Sequence, residues 1–212
     1  MLFRSVRHFE ASYLQSWLTQ PAWGEWSTET QWLWRLSSAH GSLGVLGDIG
    51  VHILDFATLV AGAGASNISC RLTTFPKAPG DKIGAYVLDA NDSFAMHLRL
   101  QNGAVGVIHA SRMASGHFNN LFLRIFGTKG GLDLRYENDV SSLRASIGDD
   151  MLTPVWRDVA VPPVASNYQR FIAAIRGGAQ VLPDFARGAE LQKVLDLAVA
   201  SNAKNSQDLP VH

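Results

Sequence analysis

The chain has 212 residues, which is long enough to bury a substantial hydrophobic core. Its 18 basic and 18 acidic side chains balance, so no net field attracts it to nucleic acid or to an anionic membrane. Cys70 is the single cysteine, which excludes an internal disulfide, and no apolar run approaches the ~20 residues of a membrane span. The N-terminus also lacks a basic-then-apolar leader pattern. These features predict a soluble, cytoplasmic protein.

The first third of the chain predicts one strand, an aromatic-rich loop and one helix. Residues 2–9 alternate apolar and polar side chains, as a strand does. Residues 13–35 hold five tryptophans and are interrupted by Pro21 and Gly24, which favours an ordered loop around short helical turns. From 46 to 61 apolar residues recur every three or four positions, which predicts a helix that ends at Gly62.

From residue 67 onward the pattern changes to short strands followed by two helices. Strands are predicted at 68–75, 93–100, 104–112, 121–126, 131–136, 142–147 and 155–161, and helices at 167–176 and 186–203. Asn102-Gly103 is a strong hairpin signal. Consecutive strands joined by tight turns favour antiparallel pairing. The expected fold is α+β: an open, largely antiparallel sheet with helices packed on one face.

The most informative spacing in the chain joins Asp48, His52 and Asp55. On a helix these residues share the face opposite the apolar stripe. A carboxylate one turn before an imidazole can orient the ring and make it a usable acid or base. The alternative is an N-capping aspartate beside a surface histidine, and the spacing alone leaves both open.

Six short motifs carry a resemblance that covers nearly the whole chain. Together and in this order they resemble the C-terminal domain of the glucose–fructose oxidoreductase / inositol dehydrogenase / MocA superfamily, a domain of the dihydrodipicolinate-reductase-like type. The motifs are Gly47-Asp-Ile-Gly-Val-His-Ile-Leu-Asp55, Asn102-Gly-Ala-Val-Gly106, Ser111-Arg112 with Gly116-His117, Phe126-Gly-Thr-Lys-Gly-Gly131, Asn167-Tyr-Gln-Arg-Phe171, and Pro183-Asp-Phe185 with Gly188.

The resemblance implies the second half of a dehydrogenase that acts on CH–OH groups. In that superfamily an N-terminal Rossmann domain binds NAD or NADP, and the second domain holds a sugar, a polyol or a derivative. His52 is then expected to exchange the proton of the reacting hydroxyl, while Asp48 positions its ring. An imidazole suits this role because its ordinary pKa of ~6.5 lets it both accept and donate a proton near neutral pH.

Five further residues are candidates for substrate binding. Trp34 and Arg35 precede the Asp48 helix, and an aromatic face beside a guanidinium suits a polyhydroxylated ligand. Arg112, His117 and Asn119 gather near a strand end and are expected to line the same cleft. The competing interpretations are core aromatics for the tryptophans and ordinary sheet-edge polar residues for the second group.

The chain departs from the superfamily where the cofactor should bind. Gly41, Gly44, Gly47 and Gly50 recur every third residue and do not form a Gly-rich turn between a strand and a helix, so they are interpreted as packing and turn glycines. The Glu-Lys-Pro motif of the superfamily is missing, and Lys77 does not replace it. No cofactor-binding residue is therefore assigned.

The remaining predictions concern metal, partners and domain organisation. His97 and His109 are expected on a sheet face, able to face each other across the hairpin, and no metal site is assigned. Residues 1–212 are expected to form one substrate-binding and oligomerisation domain, inactive alone, that associates with further copies through its open sheet. The alternative is a cofactor-free binding or oligomerisation module that derives from the same domain.

Overall fold

A computed structural model describes residues 5–21, 23–178 and 182–212. The strands are β1 (Val6–Gln15), β2 (Ala65–Thr73), β3 (Lys82–Ile83), β4 (Tyr86–Val87), β5 (Ser93–Leu100), β6 (Val105–Ser111), β7 (Asn119–Gly127), β8 (Gly130–Glu137), β9 (Val140–Ile147), β10 (Arg157–Asp158) and β11 (Leu209–Pro210). The α-helices are α1 (Thr30–Leu33), α2 (Val51–Ala61), α3 (Asn167–Gly177) and α4 (Phe185–Ala203). A π-helical turn, Leu46–Gly50, leads directly into α2.

Nine strands form one open sheet in the order β10-β9-β8-β7-β1-β6-β5-β2-β11, and β3 pairs with β4 apart from it. Along β5 the buried residues are Phe94, Met96, Leu98 and Leu100, as expected for a strand covered on one face only. Helix α2 packs across β1, and α4 packs across β2 on the same face, where their apolar residues share one core. The predicted α+β class, with helices on one face of a mostly antiparallel sheet, is confirmed.

Two strands differ from the prediction. β1 continues through Gln15, so the strand is longer than expected and the aromatic-rich loop begins later; residues 2–4 of the predicted strand lie outside the described residues. β1 lies between β6 and β7, and its alternation persists with Phe9, Ala11 and Tyr13 all buried. β10 is only two residues long, Arg157–Asp158, because it pairs with β9 through those two positions alone.

The pairing of β1 with β6 is parallel, which the prediction of antiparallel neighbours missed. These two strands are far apart in sequence, so no hairpin sets their direction. Their register places Gly106 opposite Phe9, where a Cβ atom at position 106 would lie 2.3 Å from the Phe9 carbonyl oxygen. Glycine at this position therefore permits the close approach of the two strands.

The sheet face away from the helices carries a line of charges across four strands. Arg124 on β7 binds Glu10 on β1 at 3.0 Å and approaches Asp133 on β8 at 3.5 Å, and Arg144 on β9 reaches Asp133 at 2.6 Å. Burial raises the pKa of Asp133, but hydrogen bonds from Arg135 and Arg144 outweigh it and leave this pKa below its ordinary value. The arginines keep Asp133 ionised although its side chain is only 2% exposed.

The two strand histidines lie on this same open face, but not opposite each other. The β5–β6 register pairs His97 with Val107 and Ala95 with His109. The two histidines are therefore offset by two residues along their neighbouring strands. Within residues 5–21, 23–178 and 182–212, no group of three or more His, Cys, Asp or Glu side chains is placed to hold a metal ion.

Candidate functional site

A cavity of about 330 Å³ opens beside the start of α2. Asp48 and His52 both line it, and so do three of the five predicted substrate contacts. Its lining residues are Trp34, Arg35, Gly41, Ser42, Leu43, Gly44, Gly47, Asp48, Val51, His52 and Arg112. The structure thus brings together residues from three separate parts of the sequence.

Asn91 anchors the backbone that presents Asp48. Its carbonyl accepts from the Val45 amide at 2.8 Å, and its side-chain oxygen accepts from the Leu46 amide at 3.1 Å. Gly44 has φ +66°, and a Cβ there would lie 2.5 Å from Asn91. These contacts hold the chain at the point where the π-helical turn begins, and such turns frequently occur at functional sites.

Asp48 is held by two arginines. Its Oδ1 accepts from Arg35 Nη1 at 2.6 Å, and its Oδ2 accepts from Arg112 Nη2 at 3.0 Å. It is not a helix cap, because Val45 holds the cap position and makes no side-chain hydrogen bond there. Among the residues described, no hydrogen bond joins Asp48 to His52, and the wider π-helical turn shifts Asp48 from the regular four-residue spacing. Direct orientation of His52 by Asp48 stays a prediction.

Arg112 lies beneath Asp48 and is fully buried. Its guanidinium also donates to the Arg35 carbonyl oxygen at 3.0 Å, and it lies 5.0 Å from the centre of the Trp17 ring. Burial lowers the pKa of Arg112, and the neighbouring Asp48 carboxylate opposes that change. This arrangement makes Arg112 a support for Asp48 at the floor of the cavity.

Lys77 has a structural role and does not line the cavity. Its ammonium forms an ion pair with the buried carboxylate of Asp92 at 2.8 Å, with side-chain exposures of 3% and 0%. It also donates to the carbonyl oxygens of Phe75 at 2.9 Å and Leu88 at 3.2 Å. Three acceptors match the three protons of an ammonium group, so none is left for a substrate.

The tryptophans divide between the cavity and a second core. Trp34 is 39% exposed, lines the cavity, and has the Arg35 guanidinium 4.8 Å from its ring centre. Trp17 and Trp32 lie 5.3 Å apart in a separate hydrophobic cluster that also buries Leu36 and Leu88. Within the described residues, the aromatic-rich segment thus supplies mainly core, with one ring at the site.

His117 and Asn119 do not line the cavity. His117 lies in the connection between β6 and β7, and its Nδ1 is buried without a partner among the described residues. Asn119 begins β7 and accepts a hydrogen bond from Gln15 at 2.9 Å.

Tyr13 lies near the site, with its ring centre 6.5 Å from that of His52. The sequence did not predict this position, because Tyr13 was expected at the start of a loop. The continued alternation of β1 was the available signal.

Asp55, the third residue of the predicted polar helix face, connects α2 to α4 through an ion pair. Arg187 on α4 donates to it through Nε at 2.9 Å. A second groove of about 350 Å³ lies here, lined by Val51, His52, Asp55, Pro183, Asp184, Phe185, Gly188 and Leu191. His52 therefore lies between two openings, the cavity that it shares with Asp48 on one side and this groove on the other.

The described residues do not fit a dinucleotide cofactor. Such a cofactor needs a Gly-rich turn between a strand and a helix N-terminus, to hold its pyrophosphate. Here Gly44 approaches Asn91, Gly47 approaches Leu43, and a Cβ at Gly50 would lie 3.0 Å from the Phe94 ring. These are packing positions, and no step of a reaction is derived through a cofactor held by them.

Comparison with known proteins identifies the family. The family model for the GFO/IDH/MocA C-terminal domain matches residues 5–133, more than half of the chain. The chain belongs to this family. It is 27% identical to a levoglucosan dehydrogenase of Pseudarthrobacter phenanthrenivorans, over 95% of the chain and 58% of the relative. It is also 27% identical to an inositol 2-dehydrogenase of Rhizobium meliloti, over 77% of the chain and 49% of the relative.

Solved structures of family members have the same fold. A levoglucosan dehydrogenase in complex with NADH and levoglucosan superposes with a TM-score of 0.81 at 28% identity, over 99% of this chain and 60% of that one. An oxidoreductase domain protein from Kribbella flavida gives a TM-score of 0.78 at 26% identity, with the same coverage of 99% and 60%. The chain thus spans roughly three fifths of these family members. In its described part, no helix combines the length and hydropathy of a membrane span.

Proposed function

We propose that the chain is the substrate-binding and proton-exchanging part of an NAD(P)-dependent oxidoreductase that acts on a CH–OH group of a sugar, a polyol or a derivative. The observation that carries this proposal is the solvent-open cavity that Asp48 and His52 share with Trp34 and Arg35. The names of the relatives, levoglucosan and inositol dehydrogenases, support a polyhydroxylated substrate.

Each side chain has a role that suits this substrate class. The exposed Trp34 ring offers an apolar face to the C–H surface of a sugar, and Arg35 offers donors to its oxygens. Asp48, paired with two arginines, is an acceptor for a substrate hydroxyl. His52 is exposed at the cavity wall and takes the proton from the reacting hydroxyl. His117 and Asn119 are proposed as outer contacts of a larger substrate.

The hydride acceptor must come from a dinucleotide-binding domain outside residues 1–212, because the described residues offer no pyrophosphate cradle. The nicotinamide carries the redox chemistry, and this chain supplies binding and proton exchange. We propose that residues 1–212 form one domain in a cytoplasmic enzyme, which the lone, buried and reduced Cys70 supports. A cofactor-free binding module is the alternative, and the cavity-lining Asp48 and His52 favour the enzyme.

The test compares the chain alone with the chain joined to a dinucleotide-binding domain. The chain alone should oxidise neither levoglucosan nor myo-inositol with NAD or NADP in a 340 nm assay. Joined in frame to the N-terminal part of the Pseudarthrobacter levoglucosan dehydrogenase, it should turn over at least one of them. Turnover by the chain alone, or none by the joined protein with a correctly folded cofactor domain, would contradict the proposal.

We also propose that copies of the chain associate through the open sheet face. Val105 is 41% exposed on this face, beside the charged line through Arg124 and Asp133. Light scattering should give at least a dimeric mass, and Val105→Glu should lower it. The control is Leu59→Glu, on the exposed side of α2, which should leave the mass unchanged. A monomeric wild-type mass would rule this interface out.

A further inference from the structure

Helix α3 has an apolar stripe that no described part of the chain buries. The stripe residues occupy positions i, i+3, i+4 and i+7 of one helix face: Tyr168, Phe171, Ile172 and Ile175. All four are exposed, and Phe171 is exposed to 65%. Helix α4, by contrast, buries its own stripe of Leu191, Val194, Leu195 and Ala198. Of these two helices, only α3 lacks a surface that covers its apolar face.

Local hydrogen bonds define both ends of α3. The Ser166 hydroxyl accepts from the Gln169 amide at 3.2 Å and the Gln169 side chain accepts from the Ser166 amide at 2.8 Å, which is a capping box. At the other end Gly178 has φ +67°, and its amide donates to the Ala174 carbonyl oxygen at 2.8 Å. A capped helix of 11 residues is still marginal in water, because most helical stability in proteins comes from burial of an apolar face. A surface that covers the stripe would therefore stabilise α3.

Exposed apolar residues next to α3 lead to the groove beside His52. Arg170 on α3 donates through Nη2 to the Leu182 carbonyl oxygen at 2.6 Å, which holds α3 next to the segment that precedes α4. Leu182 and Phe185 are exposed as well, Phe185 to 98%, and Phe185 lines the groove together with His52. Exposed apolar patches of this kind mark interaction surfaces.

The occupant that fits this position is a dinucleotide-binding domain. The match to the levoglucosan dehydrogenase that was solved with NADH and levoglucosan covers only 60% of that protein, which leaves room for a further domain in such relatives. The proposed function requires the hydride acceptor to reach a substrate beside His52, so the domain that holds the acceptor has to lie next to His52. A second copy of this chain on the same surface would cover the groove without supplying a hydride acceptor.

Resting on the proposed function, we propose that the stripe of α3, together with Leu182 and Phe185, is the surface on which the dinucleotide-binding domain docks. Docking buries the stripe, stabilises α3 and seats the domain at the rim of the groove that His52 and Asp55 line. None of the docking residues belongs to a strand, so the open sheet face stays free for association between copies.

Hydrogen–deuterium exchange should compare the chain alone with the chain joined to the N-terminal part of the Pseudarthrobacter levoglucosan dehydrogenase. In the chain alone, the α3 amides should exchange rapidly while those of α4 stay protected. Joining should slow the exchange of α3 by about tenfold or more, because burial of the stripe suppresses local opening. Phe171→Glu should return α3 to rapid exchange in the joined protein, since a carboxylate resists burial at the interface. Glutamate is also the better helix former of the two, so helix propensity cannot explain a loss of protection.

Leu59→Glu is the matched control, because Leu59 lies on α2 and is exposed to a similar extent, 67%. It should leave α3 protected in the joined protein. Unchanged exchange of β5 and β6 verifies that both variants fold. If joining a correctly folded cofactor domain left the exchange of α3 unchanged, the docking surface would be wrong.

Two further measurements separate the alternatives. Turnover of the joined protein without protection of α3 would leave the proposed function standing and the docking surface wrong, while protection without turnover would mean the reverse. Light scattering of the chain alone tests a second copy as the occupant. Phe171→Glu should leave the mass of the chain unchanged, and a lower mass would assign the stripe to contacts between copies and overturn the proposal.

Discussion

His52→Gln should lower kcat by a factor of about 10² to 10⁴ in the chain joined to a dinucleotide-binding domain, the range that general acid–base catalysis contributes. Glutamine keeps a polar side chain of similar reach but cannot exchange a proton near neutral pH. KM should change by less than threefold, because the sugar contacts proposed for Trp34, Arg35 and Asp48 remain in place.

The matched control for this variant is His97→Gln, an exposed histidine on the sheet face away from α2. It should retain wild-type kcat. If His52→Gln kept kcat within a few-fold of the wild type, the assignment of His52 as the acid/base would be wrong. If both variants lost activity equally, the effect would belong to folding or assembly and not to proton exchange.

Arg112→Met should lower the free energy of unfolding by about 3 kcal/mol, because it removes a fully buried guanidinium from the two acceptors that it pairs. Methionine fills much of the volume but leaves the Arg35 carbonyl oxygen and Asp48 Oδ2 without their donor. The stacked face of Trp17 also loses its cation. Urea unfolding followed by tryptophan fluorescence measures the difference.

Arg35→Met provides the internal control, because Arg35 binds the other oxygen of the same carboxylate. Its side chain is 32% exposed while that of Arg112 is 0% exposed. Water can replace part of the pairing of this partly exposed guanidinium, so Arg35→Met should cost about 1 kcal/mol, far less than Arg112→Met. Equal losses for the two variants would contradict the view that Arg112 is the buried support of Asp48.

The sheet was predictable from the sequence wherever a local pattern determined it. β5 begins and ends at the predicted residues 93 and 100, because strict alternation and the Asn102-Gly103 turn define both ends. The parallel pairing of β1 with β6 could not be predicted, since nothing in the sequence near Val6–Gln15 reports a partner about a hundred residues away. The length of β1 was underestimated because aromatic and polar residues mask its alternation.

Most of the predicted site residues line one cavity, but His117 and Asn119 lie outside it. The motif around Asp48 gave no sign of its partners, which are Arg35, 13 residues before it, and Arg112, 64 residues after it. The π-helical turn at Leu46–Gly50 depends on Asn91, which tertiary structure alone brings there. The hydrogen bond from Gln15 to Asn119 likewise requires the β1–β7 register, which no local pattern encodes.

Two-dimensional NMR of the isolated chain tests most directly whether a sugar binds in the cavity beside Asp48 and His52. On titration with levoglucosan or myo-inositol, the largest chemical-shift changes should fall on the Trp34 indole, the Arg35 guanidinium and the His52 ring. The signals of His97 and His109 on the open sheet face should stay unchanged. Shifts that cluster on the open face, with the Trp34 and His52 signals unmoved at saturating sugar, would contradict the account.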